Sequence, residues 1–63
     1  MNNILAMRKK AGLLQADIAD RLCIDRSTVA KWETGEAMPR ADKLPLLAQL
    51  LGCTIDELFE QEG

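Results

Sequence analysis

The chain reads as an all-helical domain of five short helices, and three observations lead there. No segment alternates apolar and polar residues with a period of two, and Val29 is the single valine. Apolar side chains recur instead at spacings of three and four. Glycine and proline fall between those stripes, at Gly12, from Gly35 to Pro39, and at Gly52.

The first helix is expected over about residues 3–11, capped by Asn2 or Asn3. Ile4, Met7 and Ala11 share a stripe, with Leu5 beside it. Arg8, Lys9 and Lys10 occupy the last turn, where cations suit the helix dipole, and Gly12 supplies the stop. The second helix covers roughly 15–22, with Ile18, Ala19 and Leu22 inward. Asp17 and Arg21 form an i,i+4 pair on its solvated face, worth about 0.3–0.5 kcal/mol at most.

Asp25 suits the cap of a third helix, from Arg26 to about Thr34, closed by Gly35. At about 100° per residue, Val29, Trp32 and Glu33 gather on one side and Ser27, Lys31 and Thr34 on the other. Arg26 and Ala30 flank that outer face along one edge, Thr28 along the other. Two helices joined by about three or four residues cross at a large angle. Ala19 is the small residue such a crossing needs, Ile24 plugs the turn, and Val29 closes the contact.

Proline constrains the fourth helix. Asp42 as its cap puts Pro45 in the third helical position, where no amide donor is required. The helix then runs from about Asp42 or Lys43 to Leu51, after a loose turn from Arg40. Leu44, Leu47, Ala48 and Leu51 make its stripe, and Gly52 ends it. Thr54-Ile55-Asp56-Glu57 fits a capping box opening a short last helix, with Ile55, Leu58 and Phe59 inward.

Composition narrows the functions. With 63 residues, 48% of them apolar, this is one domain near the lower size limit for folding alone. It has no His, the usual general base and metal ligand. The carboxylates are dispersed, no metal spacing exists, and a chain this small has little room for a deep pocket. Neither an enzyme nor a cofactor is expected. No apolar run approaches the roughly 18 residues of a membrane span. The cations at Arg8, Lys9 and Lys10 follow the first apolar residues, the wrong order for a signal peptide. A cytoplasmic protein is expected, with Cys23 and Cys53 as free thiols.

The net charge of −2 argues weakly against a nucleic-acid partner. Its distribution softens that. Asp56, Glu57, Glu60 and Glu62 crowd the C-terminal end, while Met1 to Cys53 hold all eight cations against six anions. An acidic end on a mildly basic body is compatible with holding a polyanion on one face.

The order of motifs resembles the Cro/CI-type helix-turn-helix regulators, the Xre family. It lies in Met7-Arg8-Lys9-Lys10-Ala11-Gly12-Leu13-Leu14-Gln15, in Ile18-Ala19, and in Ile24-Asp25-Arg26-Ser27-Thr28-Val29-Ala30-Lys31-Trp32-Glu33-Thr34-Gly35. Pro39, Leu47-Ala48, Leu51-Gly52 and Asp56-Glu57-Leu58 complete it. Each piece alone is weak, but the ordered set covers nearly the whole chain.

The resemblance implies a lambda-repressor-like domain whose third helix enters the major groove while the second lies across the backbone. Arg26, Ser27, Thr28 and Lys31 are side chains that bond base edges, and Ala30 can touch a thymine methyl. Arg26 and Lys31 read alternatively as solvated charges, and Ser27 and Thr28 as first-turn residues near a cap. Gln15, at the start of the second helix with its free amides, fits a phosphate site. By resemblance, Gln15 also orients the first base-reading side chain, Thr34 and Arg40 contact the backbone, and Arg8 pairs with Glu33. Trp32 reads as core rather than as a stacking platform.

Three residues depart from the family pattern. Cys23 stands in the turn where the family usually has Gly, which is strained if φ is positive there. Leu14 replaces the usual Ser or Thr before Gln15, removing a cap and a phosphate contact. Asp25 brings a negative charge near DNA, where it either repels phosphate or accepts from a cytosine amine.

Two functions are expected to compete. The first is a sequence-specific double-stranded DNA-binding regulator, a repressor by preference, of bacterial or phage origin. It would act as a homodimer on a palindromic operator with half-sites about 34 Å apart. Leu58 and Phe59 are candidates for its dimer surface, or equally for the core. The second is an antitoxin-like interaction module that masks a protein partner, which the acidic pI near 4.9 favours.

Overall fold

A computed structural model describes residues 2–59. Five helices follow in order: α1 (Ile4–Ala11), α2 (Gln15–Leu22), α3 (Arg26–Thr34), α4 (Leu44–Leu51) and α5 (Ile55–Leu58). Among the described residues there are no strands. The all-α expectation and the boundaries of α2 and α3 are met.

One core is shared by every helix. Ile4, Ile18, Val29, Leu47 and Leu58 are fully enclosed, and Ala19, Leu22, Trp32, Ala48 and Leu51 complete it. Ile24 packs against this cluster from the turn, and its amide donates to the Ala19 carbonyl at 2.9 Å. α2 and α3 pack closely against each other. Leu58 is therefore core, not dimer surface, whereas Phe59 is half-buried.

Several local expectations are corrected. Lys43, not Asp42, occupies the cap of α4, so Pro45 falls in the second helical position. The loose turn from Arg40 is present, its carbonyl accepting from the Lys43 and Leu44 amides at 2.9 and 3.1 Å. The Lys43 ammonium donates to the Leu22 carbonyl at 3.2 Å, tying the end of α2 to the start of α4. Ile55 is 37% exposed rather than inward. Ile55 and Leu58 are three residues apart and share a face, but α5 meets the core only at its Leu58 end. Ala11 is likewise exposed, so the α1 stripe reduces to Ile4 and the half-buried Met7.

The capping box at α5 is present, with the Glu57 amide donating to Thr54 Oγ1 at 3.1 Å and the Thr54 amide to Glu57 Oε1 at 2.9 Å. At α1, Asn2 rather than Asn3 supplies the capping oxygen, accepting from the Ile4 amide at 3.1 Å. Asp17 has no ion pair with Arg21; its carboxylate accepts from the Leu14 amide at 2.8 Å. Leu14 has no side-chain acceptor to return that bond. Of the acidic C-terminal end, Glu60 and Glu62 lie outside the described residues.

Cys23 ends α2 in the left-handed region, at φ 58° and ψ 46°, and is the one described non-glycine residue with positive φ. A side chain there costs on the order of 1 kcal/mol, partly offset because glycine loses more chain entropy on folding. Cys23→Gly is expected to raise the melting temperature by a few degrees, since about 1 kcal/mol shifts a domain this small by about 4–8 °C. Thermal unfolding followed by circular dichroism checks it; an unchanged or lower Tm would show that the thiol's own contacts outweigh the strain. Both cysteines are free. Burial first, and the nearby Glu57 carboxylate second, push the Cys53 thiol above its ordinary pKa.

Candidate nucleic-acid interface

The site is built on the two faces of α3. Val29 and Trp32 sink into the core, which fixes the roll of the helix about its axis. That roll leaves Arg26, Ser27, Lys31 and Thr34 exposed, with Thr28 and Ala30 half-buried at the two edges. Among the described residues, the Arg26 and Lys31 side chains have no hydrogen-bond or ion-pair partner. An exposed edge carrying two unpaired cations and two hydroxyls can serve the donor and acceptor pattern of the major groove.

Asp25 precedes this face in extended backbone, but its side chain makes no cap hydrogen bond, contrary to expectation. Its main-chain carbonyl takes the Thr28 amide at 3.0 Å instead. The carboxylate stays exposed beside Arg26.

Behind the reading face lies a polar network. Arg8 donates through Nε and through Nη2, the latter at 3.4 Å, to the carboxylate of Glu33. Its Nη1 donates to the Leu13 carbonyl at 2.8 Å. The paired side chains are only 12% and 5% exposed, so the ion pair implied by resemblance is present and nearly buried. Gln15 Nε2 donates to Glu33 Oε1 at 2.8 Å, linking the first residue of α2 to the inner edge of α3. Arg8, Leu14, Gln15, Ala16 and Arg26 line one shallow groove of about 280 Å³. Gln15 and Arg26 thus share a wall, though no hydrogen bond joins them.

The remaining candidates sit at the margins. Thr34 Oγ1 donates to the Lys31 carbonyl at 3.1 Å and accepts from the Glu36 amide at 3.4 Å, which orders the exit from α3. Arg40 is exposed after the buried Pro39. The contacts to α3 from Gln15, through Glu33, and from Asn2, whose Nδ2 donates to the Trp32 carbonyl at 2.6 Å, are not foreshadowed by the sequence. Neither has a local signature, because each joins residues brought together by helix crossing. The placement of Glu33 beside Val29 and Trp32 is the one sequence signal of a carboxylate needing an inward partner.

Elsewhere, no cluster of described residues is arranged to hold a metal ion. No described helix is long and apolar enough to cross a membrane.

A five-helix domain whose second and third helices cross over a tight turn, with an exposed polar edge on the third, defines a helix-turn-helix protein. Residues 4–58 match the family described as helix-turn-helix, and the chain belongs to that family, in its Cro/CI (Xre) branch. Its curated relatives are regulators. It is 47% identical over 49 residues to the 26 kDa repressor protein of Escherichia phage HK022, covering 71% of this chain and 21% of that one. It is 37% identical over 51 residues to the cryptic phage CTXphi transcriptional repressor RstR of Vibrio cholerae, covering 81% and 46%. It is 32% identical over 56 residues to the HTH-type transcriptional activator BcrR of Enterococcus faecalis, covering 89% and 28%. The chain thus spans from about a fifth to about half the length of these relatives.

Proposed function

We propose that this chain is a sequence-specific double-stranded DNA-binding module of a transcriptional regulator, acting as a repressor, with α3 in the major groove. One observation carries the reading: α3 is held by Val29 and Trp32 so that Arg26, Ser27 and Lys31 project together from the surface with their donors unused. Two of the relatives named above are repressors and one an activator, so repression is favoured by the phage proteins in particular. Gln15 with the first amides of α2 would meet one phosphate, and Thr34 and Arg40 others.

A single module of this kind buries only about 600–1,000 Å² on DNA, so a homodimer on a palindromic operator is the natural assembly. The domain measures 32 × 23 × 21 Å, which lets two copies sit side by side on half-sites about 34 Å apart. Phe59 and the 58% exposed Met38, which border one surface groove with Asn2 and Gly35, are the candidates for their contact.

Binding to a duplex chosen from a randomised pool tests this. Affinity is expected to fall steeply with salt, in proportion to the phosphates contacted. Arg26→Ala or Lys31→Ala is expected to cost about 1–3 kcal/mol on that duplex, roughly 5- to 150-fold in Kd, with the fold intact. Equal loss on selected and random duplexes would make those residues phosphate contacts. No retardation of any duplex at low salt would favour the antitoxin-like module that masks a protein partner.

A further inference from the structure

We infer that Glu33 is a positioning residue for base reading, acting through Gln15 on Arg26; this rests on the DNA-binding reading above. The Glu33 carboxylate is nearly buried and held by Arg8. It also takes an amide hydrogen of Gln15 at 2.8 Å. A carboxylate only accepts, so the Gln15 amide must turn its nitrogen toward Glu33. Its Oε1 and one remaining N–H are then left for the groove that Gln15 shares with Arg26.

That polarity matters. A guanidinium only donates and a phosphate only accepts. An amide with Oε1 available can receive Arg26, while its second N–H meets a phosphate. A freely rotating Gln15 would present its nitrogen to Arg26 in half of its orientations, donor against donor. Glu33 removes that alternative before DNA arrives, and Arg8 holds Glu33 still. Arg26 is thereby aimed at the paired acceptors of guanine rather than left to sample the groove.

The test uses the 63-residue chain and a duplex chosen from a randomised pool. Kd is measured for wild type, Glu33→Gln, Gln15→Met and the double variant. Each is titrated on the selected duplex and on versions with single G·C pairs changed to A·T. Arg26→Ala identifies the pair that Arg26 reads, as the one whose change it no longer senses.

Glu33→Gln still offers Arg8 an amide oxygen beside the Leu13 carbonyl. Discrimination, a ratio of two Kd values for one protein, does not depend on its folded fraction. Because the new amide can face Gln15 with either atom, discrimination at that pair is expected to fall about 10-fold. In the Gln15→Met background the same substitution should leave discrimination unchanged. A uniform loss over all duplexes, or the same loss without Gln15, overturns the proposal, because a merely structural role lowers stability and overall affinity alone. The DNA-free protein gives a second readout. The side-chain amide protons of Gln15 should exchange slowly with solvent and should lose that protection in Glu33→Gln, measured below its Tm. Solvent-like exchange in the wild type overturns the proposal outright. Failure of the wild type to bind any duplex, with Gln15 still protected, instead defeats the DNA reading on which it depends.

Discussion

Arg8→Met is expected to bring the chain close to its unfolding midpoint at 25 °C, with about half of the molecules unfolded. The substitution keeps most of the stem that packs beside α3 but removes the cation. Glu33, 5% exposed at its side chain, would then hold a charge with only the Gln15 amide to answer it. Removing one partner of a buried pair costs about 3–5 kcal/mol, chiefly because the other charge stays out of water. A core of this size supplies about 3–5 kcal/mol of net stability in all, so the loss matches the reserve. Arg8→Met combined with Glu33→Leu should recover most of the stability, since no charge remains buried. Urea unfolding of the three proteins checks this. A single variant as stable as wild type would mean that water reaches Glu33 and that the pair is an ordinary surface one.

Trp32→Ala is expected to cost about 3–5 kcal/mol as well, by cavity formation. Trp32 is 3% exposed, packed in the core with Val29. Its loss would release the roll of α3, while the main-chain carbonyl that accepts from Asn2 stays in place. Trp32→Phe should cost less, since the ring volume is partly kept. The measurement also decides between two roles for the residue. Were Trp32 a stacking platform for bases, the alanine variant would melt normally and bind DNA poorly. As a core residue it must lower the unfolding midpoint in the absence of DNA.

Periodicity located α2 and α3 to the residue, because Asp25, Gly35 and the inward Val29 and Trp32 all agree on the same helix. The Thr54 box was readable for the same reason: both bonds lie within one turn. What failed had more than one cause. Asp42 lost the cap of α4 to Lys43, whose ammonium is drawn to the Leu22 carbonyl. Asp25 has the residue type of a cap but not the bond. Ile55 was assigned inward because it shares a face with Leu58, yet α5 meets the core only at its Leu58 end.

For the candidate site, the outer face of α3 followed from the helical period, and the resemblance added its meaning. The exposure of Arg26, Ser27 and Lys31 agrees with that face. The link from Gln15 to Glu33 was hidden, because it depends on the crossing of α2 and α3, which no local rule fixes. The positive φ at Cys23 shows the same limit from the other side: the position could be flagged as strained, but only the fold shows that the strain is present.

The most direct measurement follows backbone amide resonances of the chain as a duplex chosen from a randomised pool is added. Saturable shifts are expected, concentrated at Arg26, Ser27 and Lys31 and at the first turn of α2 around Gln15, with α4 nearly still. Shifts gathered instead on α4 or α5, or none at any duplex concentration, would contradict DNA binding through α3.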